Sequence, residues 1–220
     1  MYRINKTTQT AKGATDADLQ KINEYARREL TAEEVYTFSI RACDDQPDRD
    51  YERFTADCLR GLAPLFVGKT VIFDHNWSAL EQTARIYAAE VVSENGETWL
   101  KVDAYMLRCE ATAPIIEAID AGILKEVSVG CAIKTATCSI CGERYGGCDH
   151  RKGQLYDDEI CIAELSDPED AYEVSFVAVP AQPKAAVQKS AQADDPKTMS
   201  INEVDRAKAR IKLEKLRYGG

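Results

Sequence analysis

The chain has 220 residues, of which 45% are hydrophobic and 30% are charged, and its net charge is −9. This composition favours one folded domain with appendages, and the acidic charge argues against nucleic-acid binding through a broad basic surface. No apolar run approaches the roughly 20 residues of a membrane span, and the polar start lacks the apolar core of a signal peptide. We therefore expect an intracellular protein with reduced cysteines and no membrane partner.

The predicted elements begin after a flexible arm over residues 1–14. A helix with an N-terminal capping box is predicted over Thr15–Leu30. Alternation of apolar and polar residues predicts a strand over Glu34–Ala42. An amphipathic helix is predicted next, over residues 55–66.

The stretch Gly68–Trp77, GKTVIFDHNW, predicts a short strand that delivers a histidine at its end. With a period of two, Val71, Phe73 and His75 are expected on one face of this strand. The remaining predicted elements are a hairpin with strands over 84–93 and 97–106 around Asn95-Gly96, a helix over 113–121, and strands over 124–133 and 171–179. Connection lengths favour a mainly β, mostly antiparallel fold, closed or partly closed into a barrel with peripheral helices.

The composition changes after Pro183. Small, polar and aperiodic residues predict a linker over 184–199, and a capped, charged helix is predicted over 200–220. The folded domain is therefore expected over 15–183, with a cysteine-rich insertion over 137–161.

One histidine and two serines are the candidates for catalysis. The chain has two histidines, and because His150 lies among cysteines, His75 is the imidazole left for acid–base chemistry. Ser128 and Ser175 lie in similar contexts, EVSVG and EVSFV. Gly130 favours Ser128 as the nucleophile, because glycine lets the backbone approach a substrate and stabilise an oxyanion.

A serine nucleophile needs a base, and the base needs an orienting group. Glu173 is the best orienting candidate, because it lies on the strand that follows Ser128 once the insertion is set aside. On these residues alone, a structural interpretation is favoured, in which His75 ends a strand and the serines only bond to backbone.

Four segments together resemble a known family. They are Asp48–Phe54 (DRDYERF), Gly68–Ala79 (GKTVIFDHNWSA), Ala121–Cys131 (AGILKEVSVGC) and Tyr172–Ala185 (YEVSFVAVPAQPKA). In this order and spacing, they make the chain from Val35 to Ala185 resemble the prohead (capsid maturation) serine proteases of tailed bacteriophages. That family is similar in fold to the herpesvirus assemblins, so the resemblance implies an antiparallel β-barrel ringed by helices.

The resemblance also implies an activity. It assigns catalysis to His75 and Ser128, with Glu173 as the third member and Glu126 and Asp74 as alternatives. The implied substrates are segments of the scaffold and the major capsid protein, cleaved inside the immature phage head in the host cytoplasm, where the protease also self-associates. Self-cleavage is expected within Pro183–Met199, which is predicted to be flexible. The rival interpretations are a non-catalytic capsid or scaffold component with this fold, and a zinc-stabilised binding module.

The cysteine-rich insertion has the spacing of a metal site. Cys138 and Cys141 form a Cys-x-x-Cys pair, and Cys148 with His150 follows closely. Three thiolates and one imidazole suit tetrahedral zinc, and a complete set of four ligands predicts a structural site rather than a catalytic one. Because one residue separates Cys148 from His150, a closer spacing than is usual for a zinc ligand pair, Cys161 is an alternative ligand. A surface loop of four exposed, reduced cysteines is the competing interpretation.

Overall fold

The computed structural model describes residues 13–188, so most of the predicted arm, most of the predicted linker and the predicted helix over 200–220 lie outside the described residues. The helices are α1 (Asp16–Asn23), α2 (Ala56–Phe66) and α3 (Ala113–Asp120), with a 3₁₀ turn at Ala79–Glu81. The strands are β1 (Val35–Asp44), β2 (Glu52–Phe54), β3 (Thr70–Phe73), β4 (Ala84–Glu94), β5 (Glu97–Leu107), β6 (Val127–Cys138), β7 (Leu155–Tyr156), β8 (Glu159–Ile160), β9 (Ala163–Phe176) and β10 (Ala186–Val187). Over residues 13–188, no helix is long and apolar enough to cross a membrane.

The first helix is shorter than its sequence pattern predicts. It begins at the predicted capping box on Thr15 but ends at Asn23, whereas the pattern predicted helix to Leu30. The Asn23 side chain accepts a hydrogen bond from the Leu30 N–H and donates one to the Leu30 carbonyl, at 2.8 and 3.2 Å. These bonds fold the following residues back as a loop and leave Leu30 buried beside the helix.

Most of the strands form one mixed sheet in the order β10-β1-β5-β4-β3-β9-β2, with β6 paired to β9. The mainly β, mostly antiparallel prediction is confirmed, but β2 and β3 run parallel to β9. The predicted Asn95-Gly96 hairpin is also confirmed, and both turn residues have positive φ. No closed barrel is found among the described strands, so the assemblin-like barrel stays a prediction.

The longest pairing in the sheet joins β6 to β9. Both strands extend beyond the predicted ranges of 124–133 and 171–179, because the two strands keep pairing as far as Cys138 and Ala163. The cysteine-rich insertion is therefore a loop at the far end of a two-stranded ribbon. It contains the small hairpin of β7 and β8.

The strand β10 lies inside the predicted linker. It pairs with β1, while the Val127 N–H donates to the Ala185 carbonyl and the Val187 N–H donates to the Lys125 carbonyl, at 3.2 and 2.8 Å. Backbone hydrogen bonds leave no signature in composition, which explains why the sequence predicts a linker here. The folded part of the chain therefore extends past the predicted boundary at Pro183.

Much of the main core lies between the sheet and α2, and Ile116 and Ile119 of α3 belong to the same buried cluster. The helix α2 contacts β9, β4 and β5 and buries Cys58, Leu59, Leu62 and Phe66. Full burial of each large apolar side chain contributes about 1.5–3 kcal/mol. This packing holds β9 in place, and β9 is the strand on which the candidate site is built.

Candidate active site and candidate metal centre

His75 lies in a turn directly after β3. The strand ends at Phe73, and both Asp74 and His75 have positive φ, at 49° and 54°. The prediction that Val71, Phe73 and His75 share one face of a strand is therefore wrong for His75, because left-handed backbone redirects the chain after Phe73. Two hydrogen bonds hold the turn against β9: the Asp74 N–H donates to the Phe176 carbonyl at 2.9 Å, and the His75 N–H donates to Ser175 Oγ at 3.0 Å.

The turn brings the His75 ring to a buried carboxylate. His75 Nδ1 lies 2.8 Å from Glu173 Oε1. Glu173 is only 2% exposed, whereas the His75 side chain is 43% exposed. A buried carboxylate must be compensated by hydrogen bonds, and the second oxygen, Oε2, accepts one from Ser175 Oγ at 2.6 Å. An ionised carboxylate can only accept, so opposite an ionised Glu173 it is Nδ1 that donates and Nε2 that is left to accept a proton.

Gly130 leaves room for this carboxylate. It is the register partner of Glu173 across the β6–β9 pairing, and a β-carbon at this position would lie 2.2 Å from Glu173 Oε1. Any side chain here would force the carboxylate to move. The sequence interpretation gave this glycine a role toward the substrate, whereas the structure gives it a role toward Glu173.

Ser128 lies on the strand next to Glu173. It is directly opposite Ser175 in the β6–β9 register, and opposed residues of an antiparallel pair point to the same face of the sheet. Ser175 shares that face with Glu173, because the two are two residues apart on β9. The predicted residues His75, Ser128 and Glu173 are therefore carried by three neighbouring segments of the sheet. The structure records no hydrogen bond between the Ser128 side chain and the other described residues.

The competing candidates are placed differently. Ser175 is fully buried, and its hydroxyl is engaged by Glu173 and by the His75 backbone. Glu126 pairs with Lys125 at 3.0 Å, and within the described residues neither Glu126 nor Asp74 bonds to the His75 ring. The nearby thiol of Cys131 is a poor nucleophile at neutral pH, because burial and the Glu173 carboxylate raise its pKa to about 11.

A cleft of about 340 Å³ borders Ser128. Apolar residues of β6 form much of its lining, and Asp48, Asp50 and Glu52 form an acidic part. We call Asp48–Phe54 the acidic segment. Burial and the neighbouring Glu52 and Asp50 carboxylates raise the pKa of Asp48, although backbone N–H groups of the same two residues oppose the shift. A second cleft of about 500 Å³ lies beside α3 and contains none of the predicted catalytic residues.

The predicted metal ligands form a cluster at the end of the β6–β9 ribbon. The donor atoms of Cys138, Cys141, Cys148 and His150 all lie within 4.8 Å of one another, so the predicted Cys₃His cluster is confirmed as a group that could hold a metal. His150 Nδ1 is buried and has no hydrogen-bond partner within the described residues. A metal–nitrogen bond would satisfy this buried atom.

The thiol environment also fits a metal. Although burial raises the pKa of Cys138, hydrogen bonds from the backbone N–H groups of Cys141 and Ile140 outweigh it and lower the value to about 6. Thiolates are the metal-binding form of cysteine. The competing interpretation, a surface loop of reduced cysteines, is wrong about exposure for two of the four, because Cys138 and Cys161 are buried. Cys161 Sγ lies 3.7 Å from Cys138 Sγ, beside the four-donor set.

No family model, curated protein or solved structure matches this chain.

Proposed function

We propose that this protein is a serine endopeptidase in which Ser128 is the nucleophile, His75 the general base and Glu173 the group that orients the base. The observation that supports the proposal best is the 2.8 Å contact between His75 Nδ1 and the buried Glu173 carboxylate. This contact supports the tautomer in which Nε2 can accept a proton, and buried orienting carboxylates have this role in serine hydrolases.

The reaction follows from these roles. His75 Nε2 takes the hydroxyl proton of Ser128 as Oγ bonds to the carbonyl carbon of the scissile peptide. The C–N bond then breaks, and the imidazolium returns the proton to the leaving amine. Water repeats the sequence on the resulting ester, which releases the acid and restores Ser128. Backbone N–H groups near Gly130 or in an adjacent loop are proposed to stabilise the oxyanion.

The proposed substrates are segments of the scaffold and the major capsid protein of a tailed bacteriophage, cleaved within the immature head. This part rests on the resemblance to prohead proteases, together with self-association and self-cleavage. The assemblin-like barrel belongs to the same proposal. Its support is the link that β10 makes between β1 and the start of β6 through backbone hydrogen bonds.

The metal in the cysteine-rich insertion is proposed to be zinc. Cys138, Cys141, Cys148 and His150 supply the thiolate and imidazole donors that tetrahedral zinc prefers. With four protein ligands, the ion would have no open position for a substrate. Its proposed contribution is to hold the insertion in a fixed conformation at the end of the ribbon.

Co-expression with the cognate capsid protein tests the proteolytic function. Wild type should process the capsid protein, and Ser128→Ala should not. Ser166→Ala is a matched control, because it removes a hydroxyl from β9 outside the proposed site. Processing that persists in Ser128→Ala contradicts the assigned nucleophile. Absence of processing by wild type, together with no labelling of Ser128 by an organophosphonate, favours a non-catalytic capsid or scaffold component.

A further inference from the structure

We infer that Ser175 is a positioning residue that holds the His75 backbone and the Glu173 carboxylate in one arrangement. This role rests on the proposed proteolytic function and adds a fourth residue to it. From the sequence, Ser175 is either an alternative nucleophile or a strand serine that only bonds to backbone. Its burial and its two hydrogen bonds point to a different use.

The Ser175 hydroxyl joins two parts of the site. Its proton is donated to Glu173 Oε2 at 2.6 Å, and its oxygen accepts the His75 N–H at 3.0 Å. The other Glu173 oxygen contacts the His75 ring at 2.8 Å. His75 is thus held twice, through its ring by Glu173 and through its backbone by Ser175, and the two holding groups are bonded to each other.

The backbone of His75 needs such a contact. Asp74 and His75 are consecutive residues with positive φ, a conformation that non-glycine residues keep only when surrounding contacts enforce it. Ser175 supplies one of those contacts from β9, which is paired with β3 and with β6 at this residue. Because Ser175 is fully buried, water is poorly placed to replace its hydroxyl.

Removal of this hydroxyl should affect the chemical step. In Ser175→Ala, the His75 N–H and one Glu173 oxygen lose their partner, so the imidazole is less well oriented toward Ser128. Small misplacements of catalytic groups can cost about 10²-fold in rate, and we expect kcat to fall by that order. KM should stay near its wild-type value, because a fully buried hydroxyl does not touch the substrate.

The test combines kinetics with a readout that does not depend on activity. The chain has two histidines, so ¹⁵N-labelled imidazoles are easily assigned by NMR. In wild type, the Nδ1 proton of His75 should be protected from solvent exchange, and in Ser175→Ala it should exchange at least about 10-fold faster, as expected when a local contact no longer limits opening. Ser166→Ala should match wild type in kcat and in exchange.

The outcomes separate this inference from the proposed function. Unchanged kcat and unchanged exchange in Ser175→Ala overturn the positioning role, as does a loss that affects KM alone. If Ser175→Ala does not fold, Ser175→Cys replaces it, because a thiol of similar shape donates and accepts only weakly. If wild type has no proteolytic activity, the proposed function fails, and unperturbed His75 exchange in the variant would still overturn the role of Ser175.

Discussion

The ring of Tyr51 lies against Gly153, at the place where a side chain on that glycine would begin. A β-carbon on Gly153 would be 2.7 Å from Tyr51 Cε2 and 2.9 Å from Cδ2. Tyr51 belongs to the acidic segment, and Gly153 belongs to the cysteine-rich insertion. The contact therefore joins the wall of the cleft beside Ser128 to the candidate metal centre.

Other contacts support the same junction. Lys152 forms an ion pair with Glu52, and the Ala163 N–H donates to the Tyr51 carbonyl at 2.9 Å. The strand β2 continues the contact by pairing with the start of β9. An ordered conformation of the insertion is thus expected to determine where the acidic segment lies. The segment lines the cleft beside Ser128, a role that the sequence motif alone did not indicate.

Gly153→Ala should displace Tyr51 and loosen the acidic segment. The substitution combines a positive φ of 83° with overlap on the ring, and overpacking of this kind costs about 1–3 kcal/mol. Gly96→Ala is the matched control, because its φ is 81° and a β-carbon there would meet nothing within 4 Å. Urea unfolding measures both variants. A loss of stability in Gly153→Ala no larger than in Gly96→Ala would contradict the role of the contact.

Gly130→Ala should remove activity through Glu173. The new methyl group would meet Glu173 Oε1 at 2.2 Å, so the carboxylate must leave its position beside His75. We expect a loss of about 1–3 kcal/mol in the free energy of unfolding. When Gly130→Ala is added to Glu173→Ala, the further loss of stability should be much smaller than the loss that Gly130→Ala causes in wild type, since the clashing group is gone. Additive losses in the double-mutant cycle would show that Gly130 and Glu173 do not interact. Processing of the capsid protein should be absent in Gly130→Ala and in the double variant.

The sequence predicted local features well and distant contacts poorly. The Cys138–His150 cluster was predictable because all four ligands fall within one short segment, so spacing alone constrains their geometry. The bond between His75 and Glu173 links residues far apart in the chain, and it depends on the parallel pairing of β3 with β9. Connection lengths carry no information about that pairing. The sequence could name Glu173 as a candidate, but not the turn that brings His75 to it.

Two features could not be foreseen for a related reason. The strand β10 forms through backbone hydrogen bonds, which composition does not record. A backbone bond by Ser175 is one of the interpretations of the sequence, but its position in an apolar run does not indicate that the partner is the His75 N–H. The identical EVS pattern at Ser128 and Ser175 leads to different environments, because Ser128 lines the cleft, whereas Ser175 is fully buried on a strand paired on both sides, with β3 and with β6.

Glu173→Gln should greatly lower kcat while the protein stays folded. An amide is nearly isosteric with the carboxylate, but it cannot accept hydrogen bonds at both ends or stabilise an imidazolium. The comparable change in serine proteases with a Ser-His-Asp triad costs about 10⁴-fold in kcat, and we expect a loss of that order. Glu126→Gln is the control, since Glu126 pairs with Lys125 rather than with His75. Peptide hydrolysis by the two variants measures the difference, and similar losses in both would contradict the assignment of Glu173.

Purified protein should contain zinc at one ion per cluster, measured by elemental analysis. His150→Ala and Cys148→Ser should lose the metal, whereas Cys109→Ser should retain it because this exposed cysteine lies outside the cluster.

Chelation of the metal should increase hydrogen exchange in the insertion and, through the contact of Tyr51 with Gly153, in the acidic segment. Exchange at the Asn95-Gly96 turn should not change. A folded wild type without metal would contradict the zinc site, and increased exchange confined to the insertion would contradict its coupling to the cleft.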